Sequence, residues 1–167
     1  KPKGVMIEHI NLANFVNPNP KNGETLGFVE RGSVCLAMAA MTFDVSIMEE
    51  FISLTNGLTV VIASDEEILN PLMLGELIIK NKVDIMATTP TYVSNIIDLP
   101  QLKKAISQIK VFDFGAEAFP PALYEKIRSV NSDAYIMNGY GPTEATISCT
   151  MKVIDNNKKI TIGIPNA

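Results

Sequence analysis

The sequence has no tryptophan, a single histidine and two cysteines. One imidazole, His9, and two thiols are too few for a zinc-type metal site. Cys35 and Cys149 lie far apart, each in an apolar strand-like run. They are expected to be buried free thiols, which points to a reducing, cytoplasmic setting. An excess of basic residues is also missing: 14 Lys and Arg stand against 18 Asp and Glu, a net charge of −4. With a pI of about 5.0, no basic face for nucleic acid or an anionic membrane surface is expected. No apolar run nears the roughly 18 residues that cross a bilayer, and no secretory signal opens the chain. Low-complexity tracts and repeats are absent as well.

What is present suits one globular domain. The 167 residues are 47% hydrophobic and 19% charged, enough to bury a real core. Both ends read as cut. Lys1-Pro2-Lys3-Gly4 resembles the exit of a loop, and the last residues, Ile162 onward, stop in mid-pattern. Residues 1–167 are therefore expected to be one subdomain of a larger protein.

Along the chain, residues 4–8 suggest a short strand and 10–15 a helix. The Asn/Pro/Gly-dense stretch 17–23 is a loop, and the apolar run 33–40 a strand buried on both faces. Ser46-x-x-Glu49 fits a capping box, which starts a helix at Ser46, ends it near Gly57 and leaves Asp44 in the preceding turn. Residues 58–63 form a further strand. Ser64-Asp65-Glu66-Glu67 opens a helix with acids in its first turn, and Leu69, Leu72, Met73 and Leu77 give that helix an apolar stripe. Strands follow at 83–87 and 109–114, with short helical pieces at 92–97 and 103–107 between them. Pro120-Pro121 starts a helix that aligns Leu123, Ile127 and Val130, and 134–138 is the last parallel strand. Residues 147–154 and 159–162 then read as a hairpin with a tight turn at Asn156-Asn157. This alternation predicts an α/β fold, a mostly parallel sheet flanked by helices, with a C-terminal β-hairpin.

The unusual polar residues all follow strand ends: Asp44, Thr88-Thr89, Gly115-Ala116-Glu117, and the turn Asn138-Gly139-Tyr140-Gly141-Pro142-Thr143-Glu144. In a parallel sheet those ends share one edge, where ligands bind. Taken singly, each has an ordinary alternative. Asp44 fits a helix start, Asp113 a pairing with lysine or a sheet edge, and Glu117 a solvated loop. Thr143 fits a helix cap, His9 a structural histidine, and Met48 and Met73 core filling. Their coincidence on one edge favours a binding crest.

Pro2-Lys3-Gly4-Val5, His9, Phe43-Asp44-x-Ser46 and Asn138-x-Tyr140-Gly141-Pro142-Thr143-Glu144, in this order and spacing, resemble the adenylation domains of nonribosomal peptide synthetases. The resemblance spans essentially the whole chain. It implies ATP-dependent conversion of an amino acid to an aminoacyl adenylate and transfer to the phosphopantetheine thiol of a carrier protein. It further implies that Asp44 pairs with the substrate α-ammonium, that Thr143 and Glu144 are catalytic, and that Glu144 holds Mg²⁺ beside the ATP phosphates. Asn138, Gly139, Tyr140 and Gly141 would meet the nucleotide with Thr143, as would Gly115, Ala116 and Glu117, while Lys3 closes the phosphate loop. The side-chain pocket would comprise Asp44, Val45, Met48, Ala87, Asp113, Gly115, Gly139, Ile147 and Ser148. Small residues make it roomy, and Asp113 favours a polar or basic amino acid.

Gly-Ala-Glu stands where that family often has Gly-Gly-Glu. The first half of the phosphate loop, the ribose-binding aspartate, the hinge and the small domain with the catalytic lysine are not in these residues. The chain thus resembles only the central, flavodoxin-like substrate-binding subdomain, expected to be nearly inactive alone and to partner the rest of its adenylation domain. Two other readings stand beside it: an acyl-CoA or aryl-acid ligase fragment, which would give Asp44 no counter-charge, and a non-catalytic binding module or swappable specificity unit.

Overall fold

The computed structural model describes residues 4–156 and 159–166. Residues 4–8 are extended and exposed rather than a paired strand, and Met6 is 96% exposed. Helix α1, His9–Phe15, follows, and a helix the sequence pattern did not suggest, α2 at Gly23–Arg31, leaves the Asn/Pro loop. Its N-cap is the fully buried Asn22. Strand β1 (Val34–Ala37) leads into a helical stretch made of α3 (Val45–Ile47), a π-helical segment (Met48–Ile52) and α4 (Ser53–Thr55). Strand β2 is Thr59–Ile62, and α5 (Asp65–Leu69) opens with the expected box between Ser64 and Glu67.

Asn70 then ends one helix and caps the next, α6 (Pro71–Asn81), by accepting from the Leu72 and Met73 amides. That break rotates the expected apolar stripe. Leu69 is 83% exposed and Leu72 is exposed, while Leu74, Gly75 and Ile78 are the residues buried. The chain continues through β3 (Ile85–Thr88), α7 (Pro90–Ile96), α8 (Lys103–Ser107), β4 (Val111–Phe114), α9 (Pro121–Val130) and β5 (Tyr135–Tyr140). The antiparallel strands β6 (Thr150–Val153) and β7 (Ile164–Pro165) close it. The expected hairpin is present, but residues 159–162 are not its second strand; Thr150 and Met151 pair with Pro165 and Ile164. Asn157 of the expected tight turn lies outside the described residues.

The seven-stranded sheet has the order β2-β1-β3-β4-β5-β6-β7, parallel from β2 through β5 and antiparallel beyond. The parallel part, 2-1-3-4-5, is the flavodoxin-like order. Alternate residues face opposite layers. Leu36, Met86, Phe112, Phe114 and Ile136 pack with α6 to α9. Cys35, Ile85, Ala87, Val111 and Met137 face Phe15, Phe28, Met48 and Ile52 on the other side. With both faces covered, strand interiors can be apolar throughout.

One polar interaction pins the amino-terminal edge of this sheet. Buried Asp84, just before β3, accepts the backbone amides of Ser33 and Val34 through Oδ1, each at 2.8 Å. Its Oδ2 pairs with Lys110 Nζ at 2.8 Å. Removing the carboxylate strands two amides and an ammonium, so Asp84→Ala is expected to cost about 3 kcal/mol. Urea unfolding will show this as a lowered midpoint, with Asp84→Asn intermediate.

Candidate functional site

The carboxyl edge of the sheet carries the site. Between β1 and β3 the chain reverses the direction in which it adds strands, and crevices open at such points. A cavity of ≈ 150 Å³ lies there. Met38 and Ala39 border it after β1, Thr88 and Thr89 at the end of β3, and Asp113, Gly115 and Ala116 on and after β4. Phe43, Val45, Met48 and Glu49 form the wall from the helical stretch. Thus Val45, Met48, Ala87, Asp113 and Gly115, expected to line a side-chain pocket, share one cavity.

The capping box at Ser46 does not form. The Ser46 hydroxyl donates to Phe43 O at 2.8 Å, and α3 starts at Val45 with Asp44 in the N-cap position. Glu49 turns inward instead. Its Oε2 accepts the Met38 and Ala39 amides at 3.1 and 3.0 Å, tying the loop after β1 to the π-helical segment. The wider π turn places Met48 and Glu49 both on the buried face. Burial raises the Glu49 carboxyl to about 7, against the lowering effect of those two amides.

Asp44 makes no capping bond with its side chain. Its Oδ2 accepts from Thr143 Oγ1 at 2.6 Å, across 99 residues of sequence. The Thr143 hydroxyl is therefore engaged with Asp44 rather than with a helix terminus, and Pro142 holds the N-cap of the 3-10 turn Thr143–Ala145. Glu144 is exposed in that turn, and the Tyr140 ring beside it is 51% exposed. Asn138 is buried in β5, where its amide donates to Thr161 O at 3.0 Å. Glu117 is not merely solvated: it accepts the backbone amide of Thr91 at 3.1 Å, and the Thr91 hydroxyl as well, joining the loop after β4 to the start of α7. His9 is exposed at the start of α1, away from a packed structural role. Lys3 lies outside the described residues.

Gly141 is required by close approach. A Cβ there would sit 2.5 Å from Ser148 Cα and 2.6 Å from Ile147 O. That contact folds the β5–β6 connection back on itself, with Thr146 and Ile147 both at positive φ, 61° and 71°. Ser148 N bonds Thr146 O at 2.9 Å, so Ile147 is the centre of a γ-turn, a strained arrangement for a β-branched residue. The turn buries Ile147 and Ser148. Cys149, expected buried, is only half-buried; Cys35 is buried, and burial pushes its thiol up.

The residue that sequence reasoning missed is Glu24, in the first turn of α2. It is 2% exposed, and its Oε1 occupies the space a Cβ on Gly139 would need, 2.3 Å from that point. The room expected from Gly139 therefore belongs to this carboxyl group. Asn166 donates to Glu24 Oε2 at 3.1 Å. Burial raises Glu24 to about 7, while Ser148, Asp113 and Asn166 act to lower it. Asp113, 3% exposed in the middle of the sheet, neither meets a lysine nor sits at an edge, and neither of its oxygens has a hydrogen-bond donor. Burial, then the neighbouring Glu24 charge, push it well above the carboxylate range. An acidic stretch GETLGFVE offered no local sign of this, because the partners of Glu24 come from the far end of the chain.

A family model described as "AMP-binding enzyme" matches residues 1–167. The chain belongs to the AMP-binding enzyme family. Tyrocidine synthase 3 of Brevibacillus parabrevis is 32% identical to it over 168 residues, covering 100% of this chain and 2% of that protein. The D-alanine–D-alanyl carrier protein ligase of Bacillus velezensis is 30% identical over 168 residues, covering 97% of this chain and 33% of the ligase. Among solved structures, the nonribosomal peptide synthetase FmoA3 in its AMPPNP-bound form superposes with a TM-score of 0.84 at 21% identity, over 98% of this chain and 18% of that one. The N-terminal subdomain of Klebsiella oxytoca NpsA, in complex with anthranilyl-AMSN, gives 0.79 at 22% identity over 99% and 42%. These structures attest the fold. This member of the AMP-binding enzyme family spans only a part of the synthetases and ligases it matches.

The raised acids give the fold a pH dependence with a defined sign. Below the ordinary value of 4.5, folded and unfolded chains both carry the protons on Glu24 and Glu49 and stability is full. As pH rises through about 7 the folded state must ionise both in apolar surroundings, and that stability is lost. The unfolding free energy from urea titrations is expected to fall from about pH 5 to about pH 8, by on the order of 1–3 kcal/mol per acid. Glu24→Gln and Glu49→Gln should each flatten part of that fall.

Proposed function

We propose that this chain is the single substrate-binding subdomain of an adenylating ligase that activates an amino acid. The parent enzyme joins the amino-acid carboxylate to the α-phosphate of ATP, releases pyrophosphate, and passes the aminoacyl group to the phosphopantetheine thiol of a carrier protein. The observation that carries this reading is the Asp44–Thr143 hydrogen bond. It joins the start of α3, which walls the cavity, to the turn that bears Tyr140 and Glu144.

Asp44 then serves both ends of the reactant. A carboxylate can accept several donors. With Thr143 on Oδ2, Oδ1 is left for the substrate α-ammonium, and that charge-assisted bond orients the amino acid with its carboxylate towards Thr143. Thr143 offers its hydroxyl near the transferring phosphate. The exposed Tyr140 ring offers a face for adenine, beside Asn138, Gly139 and Gly141 at the end of β5. The loop Gly115-Ala116-Glu117, tied to α7, borders the nucleotide from the other side. Val45, Met48, Ala87, Asp113 and Gly115, which share the cavity, surround the side chain, whereas Gly139, Ile147 and Ser148 do not border it; Asp113 suits a polar or basic side chain.

Mg²⁺ fits this edge. Among the described residues no group of three His, Cys, Asp or Glu converges as a self-sufficient metal cage. Mg²⁺ seldom needs one, since it takes one or two carboxylates together with substrate phosphates and water. Glu144 would be the carboxylate that holds it, and the ion would neutralise charge on the ATP phosphates. No helix of the described residues is long and apolar enough to cross a membrane. The free cysteines agree with a cytoplasmic setting for this activity.

In the full-length protein, Asp44→Ala is expected to lower amino-acid-dependent ATP–pyrophosphate exchange by about two orders of magnitude, the loss of one buried charge-assisted contact. Exchange driven equally well by acids without an α-amino group, and indifferent to that substitution, would instead mark an acyl ligase. Residues 1–167 alone should support little or no exchange. Near-normal rates from the isolated chain would refute its assignment as one subdomain of a larger catalyst.

A further inference from the structure

We propose that Glu24 and Asp113 form a carboxylate pair that selects an amino acid whose side chain ends in a cation, with Glu24 a specificity determinant outside the pocket residues already named. This rests on the amino-acid-activating reading above. Asp113 borders the cavity, is almost wholly buried, and has no donor on either oxygen. Glu24 does not border the cavity itself; from α2 its carboxylate lies over Gly139 of β5, the strand next to that of Asp113, and beside Ser148. The ion pairs among the described residues, Lys110 with Asp84 and Lys126 with Asp98, leave both acids without a basic partner.

A buried carboxylate without a counter-charge costs several kcal/mol. At the neighbouring inward position of β4 the chain places Val111, so the sheet itself has no need of an acid at 113. A ligand that brings the missing charge recovers that cost on binding. The surroundings also define the rest of the ligand. Val45 and Met48 form apolar walls suited to a methylene stem, while Ala87 and Gly115 leave the Asp113 oxygens approachable from the cavity. Elsewhere, a cavity of similar size holds a ligand of about six heavy atoms. An aminopropyl or aminobutyl side chain meets that limit, and a guanidinopropyl side chain exceeds it by about one atom.

The two acids lie on the same face of adjoining strands, Asp113 on β4 and Glu24 over Gly139 of β5, and burial and mutual repulsion oppose double ionisation. The pair then presents a single net negative charge, which matches one ammonium or guanidinium. Glu49 borders the same cavity; its Oε2 accepts the Met38 and Ala39 amides while its Oε1 has no donor, so it adds to the negative potential that the pair presents.

The test is ATP–pyrophosphate exchange by the full-length protein with ornithine, lysine and arginine against the neutral isosteres norleucine, glutamine and citrulline. The wild type is expected to favour a cationic substrate at least about tenfold in kcat/KM over its neutral isostere. Glu24→Gln and Asp113→Asn should each lower that ratio by about tenfold or more, chiefly through KM of the cationic substrate. A wild type that prefers a neutral isostere, or a Glu24→Gln variant that keeps the ratio, overturns the proposal and leaves amino-acid activation standing. Exchange with none of the twenty common amino acids nor with these analogues overturns both.

Discussion

Everything at the site depends on five strands running in one direction between two layers of helix. Parallel neighbours can be joined only by crossovers, so each strand delivers its carboxyl end to the same rim. The order of the strands then decides where that rim opens. The chain adds β2 on one side of β1 and β3 on the other, so the loops after β1 and β3 leave in opposite directions. The cavity occupies the gap between them. Glu49 keeps the gap shaped: it gives the amides of Met38 and Ala39 a buried acceptor, where otherwise they would close on one another or remain unpaired.

The rim is also where the fold accepts unfavourable terms. Asp113, Glu24 and Glu49 are buried acids raised above their ordinary values, all on one face of the sheet. Ala116, Thr146 and Ile147 hold positive φ around the same edge, and such positions cost of order 1–3 kcal/mol each. The opposite face shows a run of apolar contacts, Phe112 stacked on Phe114 and Phe119 edge-on to it, with no buried acid among them. One face of the sheet supplies the stability that the other spends on a preorganised, charged cavity.

This division explains what could be read from sequence. The strands were legible because apolar runs bounded by turn residues are local, and the rim clusters followed from them. The Asn138–Glu144 turn was legible by its own residues. Helix α2 was hidden by the punctuation around it: Gly23, Gly27 and Gly32 resemble loop signals until the packing is seen, where Gly27 and Gly32 make room for Met137 and Ile85. Ser46 and Glu49 satisfy a local capping pattern, but two half-buried amides just after β1 compete for the Glu49 carboxylate and win. The stripe across α5 and α6 failed because Asn70 resets the helical phase. Glu24 was unreadable for a different reason. Its partner Asn166 is 142 residues away, and no window along the chain contains both.

The position of Glu24 is itself a packing result. Helix α2 lies close on β5 because Gly27 has no Cβ; one there would stand 2.7 Å from Met137 Sδ. Further along the same helix, the Arg31 guanidinium sits 4.0 Å over the Tyr135 ring, a cation–π contact that holds the other end against the same strand. These two contacts fix how far the first turn of α2 reaches across the sheet, and Gly139 accepts the carboxylate that arrives there. The distance between Glu24 and Asp113 is thus set by helix-on-sheet packing rather than by a mobile loop. A charge held in that way keeps its geometry independently of the loops above it, which is what the proposed selection of a side chain by charge requires.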